Sequence, residues 1–173
     1  KFCAFKLLSI VYNKRVFREA GVLDLPKTPT DFIEALKKIK DNTTAIPLYT
    51  NYADEWPMSS WDAYMGINAT GKAEYINQTI VHEKNPFSNK GNETNPYAVY
   101  KILYDAVSMG LTEDDYTTTS ESLCYGLLNK GDIGCLALSS WAVAQAKNAG
   151  SNPDDVGFMP FPITVDGKQY VSI

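Results

Sequence analysis

Residues 129–144 read "NKGDIGCLALSSWAVA", and the fold turns on how that stretch is divided. Gly131 ends a preceding helical pattern, "IGCLAL" (133–138) runs on without polar alternation, and Ser139-Ser140 stand before a tryptophan. A strand that is apolar at nearly every position belongs in a sheet covered on both faces. Serines are capping residues, so "SSWAVAQAKNAG" is predicted to be a helix capped by Ser139 or Ser140 and closed by Gly150. Its apolar face is expected at Val143, Ala144 and Ala146. Trp141 then falls in the first turn, where its ring is either core or presented outward. The local pattern admits both.

Working outward, strands and helices alternate. "KLLSIVY" (6–12) reads as a buried strand. "PKTPTDFIEALKKIKDN" is a helix, with Thr28 as N-cap, Pro29 at its first position and Asp31 as the acidic member of a capping box. Phe32, Ile33, Leu36 and Ile39 form one helical stripe. "AIPLYT" (45–50) is a short strand, and "NYADEWPMSSWDAYMG" a loop running into a helix that Gly66 ends. Trp61, Tyr64 and Met65, spaced i, i+3 and i+4, form a core stripe there. Residues 67–95 are polar and rich in Asn, Gly and Lys, which reads as a surface excursion with little regular structure. "PYAVYKILYDAVSMG" is a helix with its stripe at Val99, Ile102, Leu103, Ala106 and Val107, and "SESLCYGLLNKG" is another. "DDVGFMPFPI" is a further strand. Strands alternating with helices predict an α/β domain with a mostly covered sheet.

The chain has 173 residues, 45% of them hydrophobic, enough for one domain with a substantial core. Its net charge of −4, with no basic cluster beyond "ALKKIK", argues against a nucleic-acid partner. No apolar run approaches membrane-spanning length. Cys3, Cys124 and Cys135 make no CxxC pair and no even framework, so buried free thiols are the simplest reading, with a single disulfide left open for an oxidising compartment. No Gly-rich phosphate loop, GxSxG or HExxH is present, and the one histidine, His82, lies in the polar excursion. No cofactor or metal is therefore expected. Adjacent acids at Asp54-Glu55, Glu113-Asp114-Asp115 and Asp154-Asp155 read as solvated turns or helix starts unless a pocket gathers them.

Three stretches in order carry a resemblance to a known family. "IVYNKRVFREAGVLDLPKTPTDFIEALKKIK" resembles the segment of bacterial extracellular solute-binding proteins in which a "YNK" strand end, an "EAG" turn, a "P-x-T" cap and an amphipathic helix follow one another. "LLNKGDIGCLALSSWAVAQAKNAG" resembles the family's later signature of helix, strand and "G-S-W-A", and "DDVGFMPFPI" the strand after it. The likeness is to the sugar-binding subset that includes maltose-binding protein. Tyr125-Gly126-Leu127-Leu128 stands where the family favours Phe, Cys135-Leu136 replaces Ala-Met, and Ser139-Ser140 replaces Gly-Ser.

The resemblance implies a periplasmic-binding-protein fold of type II: a mixed sheet flanked by helices, forming most of the carboxy-terminal lobe of a two-lobe protein. Hinge strands are expected near 6–11 and 168–173, the chain closing mid-strand, with the amino-terminal lobe and last helices outside this sequence. It implies an extracytoplasmic, periplasmic or lipoprotein-anchored, monomeric component of an ABC importer that captures a sugar or oligosaccharide and presents it to membrane permease subunits. No catalysis is expected. Sugars show apolar C–H faces and a rim of hydroxyls, so their sites pair aromatic rings with short polar groups and helix starts. The loop after the "IPL" strand and the Trp of "G-S-W-A" face the cleft in the family, which implicates Trp141, Trp56, Tyr52, Asp54, Glu55 and Ser140, with Tyr116 from the polar loop 113–122. Trp56 also fits plain loop packing, and Asp54 and Glu55 fit helix capping. Two rival readings remain at this point: the same fold with a polyamine, phosphate ester or metal complex as solute, and a carbohydrate-active enzyme fragment using Asp54 or Glu55.

Overall fold

The computed structural model describes residues 7–172. Chain order runs β1 (Leu8–Asn13), α1 (Lys14–Glu19), α2 (Pro29–Asn42), β2 (Ile46–Tyr49), α3 (Ser59–Tyr64), α4 (Ile67–Thr70), α5 (Pro96–Ser108), α6 (Glu121–Lys130), β3 (Ile133–Ser139), α7 (Ser140–Asn148) and β4 (Val156–Met159). The four strands lie in the order β2-β3-β1-β4. β3 pairs in parallel with β2 and antiparallel with β1, which pairs antiparallel with β4. The sheet is mixed, as expected.

Alternate residues of these strands enter two separate cores. Ile10, Tyr12, Leu48, Cys135, Ala137 and Met159 pack with α1, α2, α3 and α5 on one face. Val11, Tyr49, Leu136, Leu138 and Val156 pack with α6 and α7 on the other. Burial on both faces is why "IGCLAL" shows no alternation. β2 and β3 approach so closely that a Cβ on Gly134 would stand 2.7 Å from the Pro47 carbonyl. Asn13 turns β1 into α1: its Oδ1 accepts from Val16 N at 2.9 Å and its Nδ2 donates to Leu128 O at 2.8 Å. Thr28 caps α2 by accepting from Asp31 N at 3.1 Å. Trp61 and Tyr64 are core, with Tyr64 stacked on Phe161 at 4.0 Å.

Several expectations need correction. Residues 168–172 form no ladder strand; Ser172 pairs with Leu8 through an isolated bridge that continues the β4 side of β1. The α5 stripe is rotated: Ala98, Val99, Ile102 and Ala106 are buried, whereas Val107 is 43% exposed. In α7 the buried face is Ala142 and Ala146, with Ala144 exposed, and Trp141 of its first turn meets the Tyr125 ring. Ser139 holds the N-cap position without a side-chain cap bond. The excursion 67–95 is partly structured: Asn68, 1% exposed, donates to Tyr170 O at 2.8 Å, a fixed polar role that its residue type alone does not reveal. Cys124 and Cys135 are both free and buried, on opposite faces of the sheet. Cys3, Lys6 and Ile173 lie outside the described residues.

Candidate functional site

Because β2 and β3 are parallel, their carboxyl ends reach one edge of the sheet, where open α/β sheets bind ligands. β2 runs out into the loop Thr50–Met58, and β3 into Ser139-Ser140-Trp141. Trp56 and Trp141, 85 residues apart in sequence, meet there with ring centroids 5.9 Å apart and planes tilted by 35°. Tyr125 of α6 meets Trp141 edge-on at 6.2 Å. Tyr52 and Tyr116 form a second edge-on pair at 5.5 Å. Tyr52, Trp56 and Tyr116 are each more than 40% exposed, unusual for rings of that size, and Trp141 is half-buried. A cavity of about 440 Å³ opens beside Tyr52, lined also by Ala53, Glu55, Met58 and Thr117.

The loop is held in an unusual backbone. Asn51 (φ 56°) and Glu55 (φ 59°, ψ −54°) take positive φ without being glycine, and between them Tyr52–Asp54 make one 3₁₀ turn. Such conformations cost about 1–3 kcal/mol each and persist where surroundings impose them. The surroundings here are two carboxylates. Glu113, 6% exposed, accepts from Thr50 N with both oxygens at 3.0 Å and from the Thr50 hydroxyl. Asp54 accepts from Glu121 N in the first turn of α6, where Ser120 provides no side-chain cap. Asp54 therefore caps a helix 67 residues away in sequence rather than the one it precedes. Ser140 Oγ accepts from Leu7 N at 3.1 Å, and Ser140 N donates to Leu7 O at 2.8 Å, tying Trp141 to the start of β1.

The chemistry at this edge is aromatic and neutral to acidic. Among the described residues, no lysine or arginine lines the cavity. Glu121 is held above the usual carboxylate range by burial and then by Asp54. Burial, reinforced by Glu121, pushes the Cys124 thiol up to about 12. Asn51 Oδ1, Tyr125 Oη and Ser139 Oγ are buried with no hydrogen-bond partner among the described residues. No three His, Cys, Asp or Glu side chains converge as a metal site among those residues.

Of the residues named from sequence, Trp141, Trp56, Tyr52, Glu55 and Tyr116 are gathered at this edge, Asp54 is committed to α6, and the Ser140 hydroxyl to Leu7. Sequence reasoning missed Tyr125, Met58, Thr117, Asn51 and the buried Glu113. Only the helical register of Tyr125 against Cys124 and Leu128 hinted at any of them.

A family model described as bacterial extracellular solute-binding protein matches residues 7–173. A manno-oligosaccharide-specific solute-binding protein of Bifidobacterium animalis subsp. lactis, solved with mannotriose, is 54% identical with a TM-score of 0.94, over 96% of this chain and 39% of that one. A second binding protein of an ABC transporter from the same organism, solved with mannobiose, is 52% identical with a TM-score of 0.93, over 96% of this chain and 39% of that one. A diacetylchitobiose-binding protein of Streptomyces coelicolor is 26% identical over 160 residues, 88% of this chain and 34% of that protein. The chain thus spans little more than a third of the length of these relatives.

Proposed function

The chain belongs to the bacterial extracellular solute-binding proteins, and from that premise we propose that it supplies one side of a saccharide-capturing cleft. The protein containing it would be the extracytoplasmic binding component of an ABC importer, and its solute a short manno-oligosaccharide. The observation that carries this is the pairing of Trp56 with Trp141 at the carboxyl edge of the parallel strands, in the same loop whose Tyr52, Ala53, Glu55 and Met58 line a cavity with no cation from the described residues. Indole faces cover the C–H faces of pyranose rings, while Tyr52, Glu55, Tyr116 and Thr117 offer hydroxyl and carboxylate partners around them. The identity of 52–54% to proteins solved with mannobiose and mannotriose supports the sugar class.

Capture needs no bond made or broken. Of the two acids an enzymatic reading would use, Asp54 is occupied by the amide of Glu121, and Glu55 has no second carboxylate beside it in the cavity lining among the described residues. The lack of lysine and arginine among the described residues of the cavity lining argues against a phosphate ester. A second lobe would close over this face by bending at the strand beginning at Leu8 and the segment bridged to it at Ser172. The closed monomer, outside the cytoplasm, would be the form that membrane permease subunits engage; no helix among the described residues is long and apolar enough to cross a membrane.

Calorimetric titration of the complete two-lobe polypeptide tests this. Mannotriose should bind saturably, and spermidine and glucose 6-phosphate should not. Binding of the amine or the phosphate ester without the saccharide would overturn the reading. The 173-residue segment by itself offers one face and should show no micromolar affinity.

A further inference from the structure

On the face of the sheet away from α6 and α7, α2 and α5 run side by side in the same direction. Thr30 N donates to Glu93 Oε1 at 3.2 Å at their starts, and Lys40 Nζ donates to Met109 O at 3.3 Å at their ends. Between their first turns and the loop 89–93 lies a cavity of about 410 Å³. Ile33, Ala98 and Ile102 give it an apolar floor, and Thr30, Asn89 and Asn92 are among its polar rim groups. A second cavity, of about 410 Å³, is walled by Phe87, Tyr97 and Tyr100, and Tyr97 lines both. Tyr104, one turn further on the same side of α5, is 71% exposed. None of these residues belongs to the edge that carries Trp56 and Trp141.

The walls are fixed in place. Tyr100 donates to Asp62 Oδ1 at 2.6 Å, and its ring meets Phe87 at 6.0 Å. Lys90 pairs with Glu83 at 2.8 Å, and Asn95 caps α5 by accepting from Ala98 N at 3.2 Å. The polar excursion is therefore braced against the two helices. Rings in a row beside a rim of hydroxyls and amides match a chain of pyranoses, whose successive residues show apolar faces and hydroxyl edges. The acidic side chains Glu34, Glu93 and Asp105 outnumber the single Lys101 in the first cavity, which disfavours an anionic polymer.

We propose that this groove is a second, exterior saccharide-binding site, taking a neutral polysaccharide chain independently of the cleft. Affinity electrophoresis of the complete polypeptide through a gel containing soluble galactomannan tests it. Retardation is expected for the native protein and for Trp141→Ala, and should be lost in Tyr97→Ala and Tyr104→Ala, both of which keep calorimetric affinity for mannotriose. An alginate gel should give no retardation. The proposal fails if galactomannan does not retard the native protein, or if Trp141→Ala abolishes the shift while the tyrosine variants retain it. It fails equally if sedimentation reveals a dimer that Tyr104→Ala dissolves, since the face would then pair two copies. A failed cleft reading registers separately, as absent mannotriose heat.

Discussion

Replacing Glu113 by alanine should damage the aromatic edge without touching a single ring. Its carboxylate is 6% exposed and accepts the Thr50 amide at 3.0 Å on both oxygens, together with the Thr50 hydroxyl. Thr50 is itself buried, so the alanine leaves an amide and a hydroxyl with no acceptor and no ready access to water. A hydrogen bond to a charged group contributes about 1.5–3 kcal/mol, and orphaning a buried donor costs about 1–3 kcal/mol, so a loss of about 3 kcal/mol is expected. For a chain of this size that lowers Tm by about 6–12 °C. The Thr50 hydroxyl also accepts from Tyr52 N at 3.3 Å, so the disturbance passes directly into the loop bearing Tyr52 and Trp56. Saccharide affinity should fall by about tenfold or more, about 1.4 kcal/mol of it for re-ordering the loop. The near-UV circular dichroism of two indoles 5.9 Å apart should weaken in parallel. Glu113→Gln keeps one acceptor and should recover most of both signals. If Glu113→Ala melts early yet binds mannotriose with native affinity and an unchanged near-UV spectrum, the carboxylate holds up the strand alone and the reasoning is wrong.

Trp141→Ala should reduce saccharide affinity by about 2 kcal/mol, roughly thirtyfold, with a small change in Tm, while Trp61→Ala, in the core, should do the reverse and destabilise by about 3–5 kcal/mol. Calorimetry and melting on the pair separate the two roles. Gly134→Ala should destabilise by about 1–3 kcal/mol, because its Cβ would press on the Pro47 carbonyl at 2.7 Å and neither strand can yield; denaturant titration measures it. Asp54→Asn should lower the Glu121 pKa part of the way to the ordinary value, since burial is the larger cause and Asp54 the smaller. A carboxylate raised in the folded state opposes folding at neutral pH, and that penalty is relieved as pH falls through its folded pKa. Stability of the native chain should therefore carry a favourable acid-side contribution from Glu121 that the variant diminishes, seen by carbon-13 titration and pH-dependent melting.

Local physics made much of the fold legible. Thr28, Pro29 and Asp31 announce α2 because capping is a contact within a few residues, and "IGCLAL" announces a two-sided sheet because burial on both faces removes the need for alternation. The α5 face departs from its periodicity because Tyr97, Tyr100 and Tyr104 blur the contrast between its sides, so the pattern favours Val107 where the structure buries Ala98. At the site the rings were visible as residue types. What brings Trp56 to Trp141 is the parallel pairing of β2 with β3, a contact between strands whose partners, such as Ile46 and Ile133, lie far apart in sequence, so that neither segment encodes it alone. Glu113 read as one acid in a solvated turn, because nothing local distinguishes a carboxylate facing water from one folded under Thr50. Asp54 read as a cap for its own helix, when its partner lies 67 residues on.

The two left-handed residues of the aromatic loop bear on how this protein would respond to selection. Glycine at position 55 would relieve a backbone that disfavours any side chain, and the folded state would gain about 1 kcal/mol or keep what unfolded-chain entropy does not remove. The same exchange would let Trp56 sample orientations that Glu55 now denies it. A screen for heat resistance would therefore enrich Asn51→Gly or Glu55→Gly among its early winners, and those winners would hold their ligand less well. Durability and grip are set against each other at the two residues that bracket one short turn.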